Sequence, residues 1–212
     1  PSIKVPKAVG WPDDAAPAPP AGFRVTRFAA GLDHPRWLYV LPNGDVLAAE
    51  SSSEPKPAKG VKDWIMQRLQ KHGGALQPSP NRIILLRDAD GDGLAETRAT
   101  FAQGLKRPFG MALVGETLYV ANDDAVVRFP SRKGQTQVTG AGEKVFDRPG
   151  GPIHPRWTKN IVASADGASG CGDGRRCHRV TGVTVSSARW SSLSDGVPQV
   201  AMVRRRAPAS LC

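Results

Sequence analysis

Short apolar runs bounded by turn residues recur along the chain in pairs, the pattern of consecutive strands joined by tight turns. Trp37-Leu38-Tyr39-Val40-Leu41 turns at Pro42-Asn43-Gly44 and returns as Asp45-Val46-Leu47-Ala48-Ala49-Glu50. Met111-Ala112-Leu113-Val114 turns at Gly115-Glu116 and returns as Thr117-Leu118-Tyr119-Val120-Ala121. A third run, Trp157 to Ala163, turns at Ala165-Asp166-Gly167, but Ser169-Gly170-Cys171-Gly172-Asp173-Gly174-Arg175-Arg176 follows where an apolar strand is due. Glycine and charge there replace the β-branched and aromatic residues that a pleated surface packs. The pattern therefore predicts that the repeat stops near residue 168.

The pairs belong to a longer repeat. Gly31-Leu32 followed by Pro35 returns as Gly104-Leu105 followed by Pro108, 73 residues later. Without the insertion from Ser51 to Pro80 that spacing is 43 residues, and Pro108 to Pro155 is 47. Periods of about 40 to 50 residues with four short strands each are the signature of a β-propeller. The predicted strands are 36–41, 45–50, 82–87 and 97–102 in one blade, and 108–114, 117–121, 125–129 and 143–147 in the next. A third blade begins near Arg156, so the chain is expected to be all-β with about two and a half blades. Phe23 to Phe28 alternates apolar and polar residues and is expected to complete the last blade of a closed ring. Residues 1–21 form a Pro/Ala-rich extended lead-in, 22–168 carry the blades, and 169–212 form an unrelated tail without strand period, expected to be low in order. Within the insertion 51–80, a helix is predicted over Val61 to His72, with Val61, Trp64, Ile65 and Leu69 on one face and Gly73-Gly74 to stop it. It is expected to pack on the blade rim; a lid over the propeller mouth is the alternative.

Composition agrees with a turn-rich β protein, with 40% hydrophobic residues, 23 Gly and 19 Pro. The net charge is +10, and half of it lies in residues 169–212, where seven Arg face two Asp. The Arg204-Arg205-Arg206 run lacks the interleaved aromatics of a single-strand-binding groove, so no specific nucleic-acid partner is expected. No run reaches the roughly 20 apolar residues of a membrane span, and no signal-like apolar segment follows Pro1. Cys171, Cys177 and Cys212 all fall in the tail, and the spacing of Cys171 and Cys177-His178 fits neither a haem attachment site nor a zinc knuckle.

The strongest local motif is Asp88-Ala89-Asp90-Gly91-Asp92-Gly93. Carboxylates at alternate positions, with glycine permitting a sharp turn, can wrap oxygens around calcium. A helix-loop-helix site would need Glu at the twelfth loop position, which is Ala99, whereas Glu96 falls at the ninth. With strand-like flanks, the motif is either a structural calcium loop on a hairpin, with Asp88, Asp90 and Asp92 as metal ligands, or a solvated acidic turn. His34-Pro35-Arg36-Trp37 and His154-Pro155-Arg156-Trp157 are the same tetrapeptide at equivalent positions in two blades. A histidine beside a turn is either a hydrogen-bonding structural residue or a base; His154, after the Gly150-Gly151-Pro152 turn, is the candidate base, because inner strands line a propeller's central channel. The chain contains no Ser-His-Asp arrangement, phosphate loop or dinucleotide fingerprint.

Taken together, Gly22-Phe23 through Glu50, Asn81 through Asn122 and Glu143 through Gly167 resemble the glucose/sorbosone dehydrogenase family, in particular its sorbosone dehydrogenase-like branch. The likeness covers about residues 5 to 168. It implies a six-bladed propeller, secreted to the periplasm, with pyrroloquinoline quinone (PQQ) and calcium in the central channel. A sugar would be the substrate, with a separate electron acceptor. The implied chemistry is removal of a proton from the sugar's anomeric hydroxyl by a histidine, with hydride passing to a quinone polarised by calcium and an arginine.

Two departures qualify what is carried over. Arg156 occupies the place that the family gives to its catalytic histidine, directly before Trp157-Thr158-Lys159-Asn160. An arginine stays protonated and cannot act as a base. His154, two residues earlier, would lie more than about 6 Å along the strand, against the roughly 3 Å that proton transfer needs. The family's quinone- and calcium-binding residues lie in later blades, and the tail from Ser169 resembles nothing in it. The chain is therefore expected to be an inactive truncated or frameshifted piece of a sorbosone/aldose dehydrogenase, prone to self-associate through open blade edges. The alternative is a non-catalytic, calcium-stabilised binding module.

Overall fold

The computed structural model describes residues 16–52, 60–72, 78–147, 160–163, 178–180, 183–186 and 200–205. The strands are β1 (Phe23–Ala29), β2 (Pro35–Val40), β3 (Val46–Glu50), β4 (Arg82–Arg87), β5 (Thr97–Ala102), β6 (Met111–Val114), β7 (Thr117–Ala121), β8 (Ala125–Pro130), β9 (Glu143–Asp147), β10 (Asn160–Ala163), β11 (His178–Val180), β12 (Val183–Ser186) and β13 (Val200–Arg205). One helix, α1 (Val61–His72), lies between β3 and β4. β2-β3-β4-β5 and β6-β7-β8-β9 form two antiparallel four-stranded meanders. Their strands fall within a residue of where the hydrophobic pattern places them, except that β6 starts at Met111 where the pattern predicts a start at 108, and α1 has the bounds that its periodicity predicts.

Side-chain alternation explains how the sheets stack. Along β3 and β4, Leu47, Ala49, Ile83 and Leu85 point one way and join Met111, Leu118, Val120 and Phe129 of the second meander in one core. Val46, Ala48, Ile84 and Leu86 point the other way, against Phe28 of β1 and Leu32. All five residues of β3 are buried, as expected of a strand covered on both faces. In β7 the alternate residues Tyr119 and Ala121 turn to Ile161 of β10. β1, the first meander, the second meander and the sheet containing β10 are therefore stacked face to face in that order. This is the arrangement of a partial propeller-like fold.

Close contacts fix the stack. The Leu113 amide donates to the Tyr39 hydroxyl at 2.9 Å, joining β6 to β2. The Trp37 and Phe109 rings lie 5.3 Å apart, tilted by 40°. At Gly110 an added Cβ would stand 2.5 Å from the Ile161 amide nitrogen, so only glycine lets β10 approach here.

The repeat seen in sequence has a backbone counterpart. Gly31 and Gly104 adopt φ of 68° and 71°, and His34 and Arg107, each preceding a proline, adopt 48° and 47°. The residue before proline is already sterically restricted. Two such entries with one conformation show that Gly-Leu-x-x-Pro encodes a specific approach to the first strand of each meander.

Three findings differ from expectation. The tail from 169 is not without strands: β11, β12 and β13 lie in it. β12 pairs with β10 and β11, while β13 pairs antiparallel with β1. The strand missing after Gly167 is thus replaced by Val183-Thr184-Val185-Ser186, whose β-branched residues suit a ladder although the surrounding composition masks them. β1 does enter a further sheet, as its alternation predicts, but its partner is β13. Finally, α1 does not bury its apolar face: Val61, Trp64, Ile65 and Met66 are all exposed.

Candidate functional site

The loop between β4 and β5 brings Asp88, Asp90, Asp92 and Glu96 together, each offering a carboxylate oxygen within 4.8 Å of the others. Local chemistry builds it. The Asp88 carboxylate accepts the Gly91 amide at 2.6 Å and the Gly93 amide at 2.9 Å. Asp90 accepts from the Asp92 amide at 3.1 Å, and Asp92 from the Leu94 amide at 2.7 Å. These short-range bonds curl the backbone inward, as aspartate side chains do in turns. Gly91 and Gly93, at φ of 81° and 97°, supply the left-handed conformations that the curl needs.

Glu96 closes the loop by accepting the Ala89 amide at 2.8 Å. Asp88, Asp90 and Asp92 are the ligands that the alternating carboxylates predict; Glu96, at the ninth loop position, joins them as a fourth carboxylate. The signal was the Glu placed just before the strand run that starts at Thr97.

The loop also rests on β1. The Arg24 guanidinium and Thr26 hydroxyl donate to the carbonyls of Asp92 and Gly93, each at 3.4 Å, and the Ala95 amide donates to Phe28 at 2.9 Å. Four oxygen-bearing side chains with spare lone pairs fit a hard cation such as calcium, which takes six to eight oxygen ligands. Magnesium would require a stricter octahedron.

The buried charges among the described residues, unlike the loop carboxylates, support the strand ends. Glu50, fully buried, accepts the Asp33 amide at 2.6 Å and the Arg82 guanidinium at 2.5 Å, with Arg98 at 3.7 Å. It thereby anchors the Gly31-Leu32 entry to the end of β3. Arg107 pairs with buried Asp123, while its amide donates to the Asn81 side chain at 2.9 Å. Asp45 receives two hydrogen bonds from Arg87, both at 2.8 Å, and one from Asn43 at 2.7 Å. The bonds from Arg87 outweigh burial and hold the Asp45 carboxyl below the usual carboxylate range.

His154 and Arg156 lie outside the described residues, so the structure does not place the candidate base or the arginine at its family position. His34, their counterpart in the first meander, stands at the entry to β2 with its ring 3.9 Å from the Asp33 carboxylate. The groove of about 340 Å³ between β5 and residues 137–140 is lined by Thr100, Ala102, Gln103, Gln137 and Thr139 among others. It carries no cationic side chain and does not match the carboxylates of PQQ. No helix among the described residues is long and apolar enough to cross a membrane.

No protein-family model matches the chain, and no curated protein does. Among solved structures, the chain is similar to the holo form of the PQQ domain of pyranose dehydrogenase from Coprinopsis cinerea, at 14% identity and a TM-score of 0.44. That match covers 69% of this chain and 29% of the other. Two structures of a Trichoderma reesei carbohydrate-active enzyme of family AA12 are also similar, the iodide form at 14% identity and TM-score 0.48 and the calcium form at 15% and 0.45. Each match covers 78% of this chain and 33% of the other, so the chain spans about a third of the length of these structures.

Proposed function

We propose that the chain is the N-terminal blade region of a six-bladed, PQQ-dependent sugar oxidoreductase of the sorbosone or aldose type, exported to the periplasm or beyond. In this reading calcium occupies the Asp88–Glu96 loop in a structural role, and the chain does not turn over sugar by itself. The supporting observation is the stack of four-stranded meanders, each entered through Gly-Leu-x-x-Pro, with the carboxylate loop clasping β1. PQQ would supply the hydride acceptor when bound in the intact enzyme. This chain's own contribution to the chemistry is limited by Arg156, which cannot take a proton at the position where the resemblance expects a base.

Dye-linked turnover of the chain, supplied with PQQ, calcium and a panel of aldoses and sorbosone, tests this reading. Wild type should show no turnover above the dye blank. Clear oxidation of any sugar would contradict the proposed inactivity and move the base to another residue.

The carboxylate loop by itself favours a second reading, a non-catalytic binding module stabilised by calcium. That reading requires a defined oligomer or a captured partner, whereas open strand edges alone give polydisperse self-association. Light scattering in the presence of calcium separates the two.

A further inference from the structure

Among the described residues, α1 exposes more large apolar side chains than any other element. Val61 is 74% exposed, Trp64 56%, Ile65 45% and Met66 52%, so one short helix offers four large apolar side chains to solvent. At 100° per residue, Val61, Trp64, Ile65 and half-buried Leu69 share one arc, and Arg68 lies within that same arc. The Arg68 guanidinium sits over the Trp64 ring, 5.7 Å from its centroid, which keeps a cation alongside the apolar residues. Exposed Lys62 flanks the arc, while Asp63, the helix's one acid, lies on the opposite side. The helix sequence holds Lys62, Arg68 and Lys71 against that acid.

We propose that α1 is an interfacial helix that docks the protein on an anionic lipid surface. The placement of Arg68 decides between partners. Among the described residues no carboxylate pairs with Arg68, so a dry protein interface over Trp64 and Ile65 would bury the guanidinium at a large desolvation cost unless the partner brought an acid to it. A lipid headgroup layer accepts apolar side chains and cations at the same depth, with Trp at the boundary and the guanidinium reaching the phosphates. Salt weakens such attachment, because the charge contribution extends only over a Debye length. The proposal does not depend on the sugar-oxidoreductase reading.

Co-sedimentation of the full chain with phosphatidylcholine vesicles, and with vesicles of phosphatidylcholine and phosphatidylglycerol, tests it. Binding to the anionic vesicles should exceed binding to the neutral ones by about tenfold or more and should fall as salt is raised. Trp64→Ser with Ile65→Ser should abolish it, and Lys62→Glu with Arg68→Glu should do the same while leaving the far-ultraviolet circular dichroism unchanged. Equal binding to both vesicle types would overturn the proposal, as would binding that survives either double variant. Absence of vesicle binding would overturn it too. Self-association lost in the serine variant would then assign this face to a second copy of the chain.

Discussion

Two single residues carry tests of how the stack is held. At Gly110 there is no room for a methyl group, because the backbone of Asn160 and Ile161 fills the space within 2.5 to 2.8 Å of where it would stand. Gly110→Ala must therefore push the sheet containing β10 away from the second meander. It should lower the unfolding free energy by about 2 to 3 kcal/mol, the usual cost of overpacking, read as a lower urea midpoint with an unchanged slope. Asp45 gives a pH signature. Its folded carboxyl titrates below the ordinary value because Arg87 donates two hydrogen bonds to it. A depressed folded pKa means that its stabilisation is complete above the unfolded value of about 3.9 and is lost as pH falls through the folded value. Asp45→Asn should cost about 2 kcal/mol near neutrality. The gap between wild type and variant should close in strong acid, as urea midpoints across the pH range would show. A gap that persisted in acid would mean that packing, not charge, is what Asp45 supplies.

At the scale of elements, most of the architecture was legible in the sequence because strands covered on both faces announce themselves as continuous apolar runs. Val46 to Ala49 and Ile83 to Leu86 are such runs, and their inward and outward sets meet different neighbours. The strands of the tail were not legible, because β11 and β12 are short and embedded in Gly, Ser and Arg. What places Val183 to Ser186 beside β10 is pairing with a distant strand, which local composition does not report. Glu96 lies outside the alternating carboxylate motif, and only the pairing of β4 with β5 brings it back to the aspartates. As an element the loop makes its own prediction. Glu96→Gln removes a charge from the four-carboxylate set while keeping a side-chain oxygen that can accept from the Ala89 amide. It should weaken calcium affinity measured by calorimetry by about tenfold or more, since affinity follows ligand charge.

On the scale of the whole molecule, the loop, β1 and the two meanders form one connected body. Calcium gathered by Asp88, Asp90, Asp92 and Glu96 would stiffen a loop that holds Arg24, Thr26 and Phe28 of β1. β1 in turn covers Val46, Ile84 and Leu86 of the first meander. Ion binding should therefore stabilise the fold globally and not only order a turn. The most direct test is a thermal melt of wild type and Asp90→Asn/Asp92→Asn with and without calcium. At calcium about a hundredfold above its dissociation constant, wild type should gain about 2.7 kcal/mol. The melting temperature should rise in a single transition, and the double variant should gain nothing. A wild-type melt that ignores calcium, or a double variant that responds equally, would contradict the account and reduce the loop to a solvated acidic turn.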